Sequence, residues 1–202
     1  AETKGSKIIF YFYSTFCESI KTKTSYQIDP SYWDLTTWDN YYVWNEFQKQ
    51  FLLRETNNNP TIRITNPFVF ESKKIDFNLD FDYIAVFDIQ PLKDSFIQTV
   101  SSNNEYFNSK TALLFLEDIL DVLSKKKLKI LHKRKRELIR SLSNTHYISN
   151  YKKIISKKYF QEVPVDYSAK KLIMNLKLVI CMPFTSPAVL ASHMKIPTIF
   201  YD

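Results

Sequence analysis

A single glycine, Gly5, in a chain of 202 residues removes more possibilities than any other feature of this sequence. Phosphate cradles of the GxGxxG and Walker A kind rest on backbone that only glycine adopts cheaply, so ordinary dinucleotide-binding dehydrogenases and P-loop enzymes are excluded. Anions must then be held by charged side chains or helix amino termini. The charge balance suits such a partner, since 28 Lys and Arg stand against 21 Asp and Glu for a net charge of +7. That surplus fits a nucleotide, a nucleic acid or an acidic membrane surface and selects none of them.

With 45% hydrophobic residues, the chain can bury a core of ordinary size. Its longest apolar runs, Ile8 to Tyr13 and Leu176 to Met182, fall far short of the roughly 20 residues of a membrane-spanning helix. Cys17 and Cys181 lie far apart in sequence, each in or beside an apolar run, and make neither a disulfide framework nor a metal set. A reducing compartment is expected. No secretory signal precedes the first strand candidate, so the expected location is cytoplasmic. The chain opens at Ala1 with the polar stretch AETKGS and stops at Asp202 directly after an apolar run, which leads us to expect an excised piece of a longer protein. Residues 1–6 read as an added or disordered leader, and residues 7–202 as one domain.

Ile8 to Tyr13 reads as a strand buried on both faces. Tyr41 to Arg54 carries Val43, Trp44, Phe47, Phe51 and Leu52 three or four residues apart, which predicts one helical face. Thr61 to Thr65 alternates as a half-buried strand, and Asp82 to Phe87 reads as a central one. Ser109 to Ser124 is the clearest helix, capped by Asn108 or Ser109. Leu128 to Leu131 is a short strand entering HKRKRE. A basic helix follows over 147–158, then an extended segment over 159–165. Asp166 is expected to cap a helix over Tyr167 to Asn175, Leu176 to Cys181 to form a buried strand, Ser186-Pro187 to open another helix, and Ile196 to Tyr201 to close with a strand. Strands and helices alternating over short connections predict a mainly parallel, Rossmann-like α/β sheet with helices on both faces.

In such a sheet ligands bind beyond the carboxyl ends of the strands, which directs attention to Ser14-Thr15, Asp88, His132-Lys133 and Pro183-Phe184-Thr185-Ser186. The last group is the sharpest. A strand runs into two hydroxyls and a helix start, where the backbone N–H groups of Ala188 and Val189 are expected free for a phosphate. The alternative is that Ser186 merely caps its own helix. His132 and Lys133 supply an opposing cation, whereas Arg134 and Arg136 read more readily as a solvated turn. The aromatic group of Tyr32, Trp33, Trp38, Tyr41, Tyr42 and Trp44 could stack on a sugar or base, but aromatic stripes more often pack. The three histidines lack zinc-site spacing, and no metal is expected.

The segment VICMPFTSPAVLASHMKIPTIFYD resembles the signature of the polysaccharide-biosynthesis proteins named for their PFTS motif, here Pro183, Phe184, Thr185 and Ser186. IIFYFYST, WDNYYVWNEFQ, YIAVFD and LHKRKRE extend the similarity along the chain. The resemblance implies a glycosyltransferase in surface polysaccharide biosynthesis. It would be of the GT-B type, in which two Rossmann-like domains face each other, and this chain would be the C-terminal half that binds a nucleotide-activated sugar. It implies that Ser14, Thr15, His132, Lys133, Thr185, Ser186, Ala188 and Val189 hold the donor phosphates and that Glu162 meets the base or ribose. Lys133 stands where related GT-B sialyltransferases carry a proline. The catalytic base would come from the N-terminal domain, the acceptor would be a glycan, and transfer would proceed without a cofactor or divalent metal. A metal role for the DFD of Asp80, Phe81 and Asp82 is the lesser reading.

Two other classes stay open. The basic stretch Lys125 to Lys158 could face nucleic acid, although no known recognition motif is present and none is expected as partner. It could equally lie on an anionic membrane at the inner face.

Overall fold

The computed structural model describes residues 5–12, 23, 33–67, 83–89, 91–93, 95, 108–138, 144–183 and 185–201. Where one domain over 7–202 is expected, the chain divides into two compact units, Ala1–Phe70 and Glu71–Asp202. Each unit has its own parallel sheet, and the described strands of one sheet do not pair with those of the other.

In the first unit, β1 (Phe10–Tyr11), β2 (Asn40–Val43) and β3 (Thr61–Ile64) lie side by side in that order. The helix expected over Tyr41 to Arg54 is thus partly a strand. Aromatic and β-branched Tyr41, Tyr42 and Val43 favour extended backbone, and Asn45 starts α1 (Glu46–Glu55) by accepting from the Gln48 N–H. Gln48 in turn accepts from Trp44 N–H at 2.7 Å, tying the helix start to the strand exit. Phe47, expected on the inner face, is 79% exposed. Trp33, Tyr41, Phe12 and Phe51 form the core, with Trp38 packed against it, so these aromatics pack rather than await a sugar. Tyr32 lies outside the described residues.

The second unit carries β4 (Tyr83–Phe87), α2 (Ser109–Lys125), β5 (Lys129–His132), α3 (Thr145–Ile155), β6 (Phe160–Glu162), α4 (Ala169–Met174), β7 (Val179–Cys181), α5 (Ser186–His193) and β8 (Thr198–Phe200). All five strands are parallel, in the order β6-β5-β4-β7-β8. The chain thus builds outward from β4 to β6, then returns to the other side of β4 for β7 and β8. Right-handed crossovers put the helices of those two halves on opposite faces. Strand parity agrees: Ile84, Val86, Ile130 and Phe160 join α2 and α3 in one core cluster, while Ala85, Phe87, Leu131 and Cys181 are buried on the other side. Element limits move by a few residues from expectation, because Asn108, Asn144 and Ser168 supply the helix caps, Ser168 displacing Asp166.

The scarcity of glycine is visible at the helix ends. Lys127 and Lys195 adopt left-handed backbone at φ 57° and 59°. Each sits where helices commonly end in glycine, with the Leu128 N–H donating to Leu123 O and the Ile196 N–H to Ala191 O, both at 3.0 Å. A side chain there costs about 1 kcal/mol. Lys127→Gly and Lys195→Gly are each expected to raise stability by up to about 1 kcal/mol, read as a higher urea midpoint at unchanged m-value.

Candidate functional site

The order of strands puts a topological switch point between β4 and β7, where the connections leave toward opposite faces and a crevice opens beyond the carboxyl ends. The PFTS segment is the exit of β7 at that point. Met182 N–H donates to Phe87 O at 3.1 Å and the Ile89 N–H to Met182 Sδ at 3.4 Å, holding the two strand exits together. Thr185, rather than Ser186, occupies the N-cap position of α5; Ser186 is the first helical residue and Pro187 the second. The Thr185 hydroxyl donates to Met182 O at 2.9 Å instead of capping a helix amide. The Ala188 N–H, expected free, donates to Thr185 O at 3.1 Å and closes the first turn. Burial pushes the neighbouring Cys181 thiol up to about 12, with the Thr185 side chain working the other way, which leaves it unreactive.

Beside the switch point lies a polar network that register assembles. Val86, His132 and Glu162 are cross-strand neighbours, and by alternation their side chains, like that of Asp88, turn to the α3 face. Helix α3 brings Tyr147 and Tyr151, one turn apart and stacked at 5.7 Å, over them. Tyr147 O–H donates to Asp88 Oδ2 at 3.3 Å. Tyr151 O–H donates to Glu162 Oε1 at 3.0 Å, so its oxygen accepts from His132 Nδ1 at 2.9 Å, and this order assigns the Nδ1 proton. On the other edge of the ring, Nε2 stands 3.2 Å from Asp88 Oδ2, with both side chains fully buried. Arg134 closes the outer end, its Nε donating to Glu162 Oε1 and its guanidinium lying 5.7 Å from the Tyr151 ring centroid.

This geometry also places the two expected cations. His132 is wholly buried among Asp88, Tyr151 and the Phe160 ring, because its parity on β5 is that of Ile130. Lys133 turns the other way and donates its ammonium to Val165 O at 2.7 Å and, more weakly, to Arg134 O at 3.4 Å. Burial holds that ammonium below its ordinary range, while the Asp166 charge works against the shift and Arg134 with it. Arg134, read from sequence as a solvated turn, is 8% exposed. Burial alone would lower its guanidinium; the Glu162 hydrogen bond and charge override that and hold it above its ordinary value. Glu162 remains the accessible member, its side chain 28% exposed. Val189 is half-buried in the first turn of α5. Ser14, Thr15, Phe184 and the DFD of 80–82 lie outside the described residues. Among the described residues, no group of three or more His, Cys, Asp or Glu could hold a metal ion, and no helix is long and apolar enough to cross a membrane.

The parallel sheets with their covering helices form an α/β fold similar to a GT-B glycosyltransferase domain. A crystal structure of an S. aureus TarM mutant in complex with fondaparinux, alpha-GlcNAc-glycerol and UDP superposes with a TM-score of 0.50 at 12% sequence identity. The match covers 98% of this chain and 37% of TarM, so the chain spans little more than a third of that protein's length. The chain belongs to the polysaccharide biosynthesis PFTS motif protein family, whose profile matches residues 1–202. No curated protein matches the chain.

Proposed function

We propose that the second unit binds a nucleotide-activated sugar and that this chain is the donor-binding part of a glycosyltransferase in surface polysaccharide biosynthesis. The observation that carries the reading is the position of the PFTS segment: Thr185 and Ser186 open α5 at the switch point between β4 and β7, where nucleotides bind in open parallel sheets. UDP in the TarM complex supports the ligand class.

In this reading the donor's phosphates lie against the Ser186 hydroxyl and the first turn of α5, where the helix dipole favours an anion by about 0.3 to 1 kcal/mol. Glu162, with Oε1 taken by Tyr151 and Arg134, offers its other oxygen to a hydrogen-bond donor such as a ribose hydroxyl. His132 contributes at second hand, by holding Tyr151 and through it Glu162. As the glycosidic bond breaks, charge growing on the leaving phosphate meets the helix terminus, while a base outside these 202 residues deprotonates the glycan acceptor. No metal enters this step.

A thermal-shift panel of CMP, UDP, GDP, ADP and their sugar conjugates tests it. One nucleotide class is expected to raise Tm selectively, and Thr185→Ala/Ser186→Ala to abolish the shift while the ligand-free variant still melts cooperatively. No shift with any nucleotide sinks the reading. A nucleotide shift that survives the double substitution moves the phosphates away from α5.

A further inference from the structure

Among the described residues, the helix-to-strand connections at the end of the sheet opposite the candidate site carry charge of one sign. In a parallel sheet every helix-to-strand connection lies at the amino ends of the strands, and the described elements of the second unit include four of them. They read KKL before β5, SKKY before β6, NLKL before β7 and MKIP before β8 (residues 126–128, 156–159, 175–178 and 194–197). Each contains lysine and none contains Asp or Glu. Lys126, Lys127, Lys157, Lys158, Lys177 and Lys195 are all exposed. The lysine-rich composition alone does not produce this, because the strand-to-helix connections at the other end mix signs, with Asp88, Glu137 and Asp166 among the basic residues. Lys127 and Lys195 also take left-handed backbone that favours glycine, so lysine stands at both despite the cost.

We infer that this amino-end face of the second unit docks on an anionic lipid bilayer. A lysine near such a surface gains about 1 kcal/mol, so six on one face suffice for peripheral binding without an inserted helix. Two exposed apolar side chains near the helix ends, Val122 (54%) and Met174 (61%), fit the bilayer interface. Single-stranded RNA is the poorer fit, because it needs open aromatic faces for stacking. The rings at this end are half-buried and covered by their own cations, Tyr159 with Lys158 at 5.7 Å and Tyr83 with Lys129 at 4.8 Å. The surface lies away from the carboxyl ends, so docking leaves the crevice open.

Flotation of the 202-residue chain with vesicles tests the inference. Binding is expected to phosphatidylcholine vesicles containing phosphatidylglycerol and not to phosphatidylcholine alone. Lys126→Gln/Lys157→Gln/Lys158→Gln/Lys177→Gln spares both left-handed positions and is expected to weaken binding by about tenfold or more. Lys110→Gln/Lys170→Gln, at the helix starts of the opposite end, is expected to leave it unchanged. Hydrogen exchange on the unaltered chain gives a second measurement, with vesicles expected to protect residues 126–128, 156–159, 175–178 and 194–197. Equal weakening by the two variants, protection elsewhere, or binding of a short RNA without vesicle binding would each overturn it.

Discussion

His132→Ala is expected to destabilise the chain by about 2 to 4 kcal/mol, measured by urea unfolding at neutral pH. The substitution opens more than a cavity. It removes the ring whose Nε2 stands 3.2 Å from the fully buried Asp88 Oδ2, and takes from the Tyr151 hydroxyl oxygen the Nδ1 donor at 2.9 Å. A buried acceptor without its partner costs its full desolvation, whereas removing both members for apolar groups is far cheaper. Asp88→Leu/His132→Leu is therefore expected to cost less than the sum of Asp88→Leu and His132→Leu, by 1 kcal/mol or more on the order of magnitude seen for touching residues. Additive losses, or a His132→Ala penalty under about 1 kcal/mol, would mean that the ring does not bind the two strand exits together.

That network was half legible in the sequence. Asp88, His132 and Glu162 stand at strand ends, and strand ends can be found from apolar runs and turn residues alone. Direction was the missing part. His132 shares parity with Ile130, so alternation along β5 already turns it to the core face, but the charge of the adjoining KRKR run made it read as a surface cation. Lys133 shows the converse limit: four methylenes let an ammonium at a strand end reach a carbonyl on the next loop, Val165 O, and spacing carries no trace of that. Tyr147 and Tyr151 did leave a signal, the i,i+4 spacing that stacks two rings on one helix face. The four lysines around them advertised a basic helix instead. In the first unit, Tyr41 and Val43 satisfied helical and strand spacing at once over so short a run, and the deciding residue was Asn45, a cap set inside the supposed helix. The PFTS segment was the most legible of all, because a strand, a hydroxyl pair and a proline at the second helical position fix one another locally.

At high pH the same network is expected to make the chain lose stability steeply, and the two tyrosines give that loss its sign. Burial pushes the Tyr147 and Tyr151 hydroxyls far above their ordinary 10.0, the Asp88 charge adding at Tyr147 and the Glu162 charge at Tyr151. Above that value the unfolded chain gives up both protons and the folded chain keeps them. The unfolded state then binds fewer protons, and the free energy of unfolding falls as pH rises. Each tyrosine contributes up to about 1.4 kcal/mol per pH unit, so the pair removes about 4 kcal/mol over the first one and a half units. Lys133 opposes this only below its ordinary 10.5, because burial lowers its folded value and stability therefore rises with pH until the unfolded lysine also loses its proton. Urea titrations at a series of pH values from about 9 upward separate the two contributions. Tyr147→Phe/Tyr151→Phe starts from a lower stability, having lost the three hydrogen bonds of the two hydroxyls, yet its slope above the tyrosine range is expected to be far shallower than that of the unaltered chain. Equal slopes would mean that both hydroxyls ionise as readily in the folded chain as in the unfolded one. In that event α3 would not seal the carboxyl ends of β4 and β5, Glu162 would lose its fixed partner, and the case for a preformed donor site would rest on α5 alone.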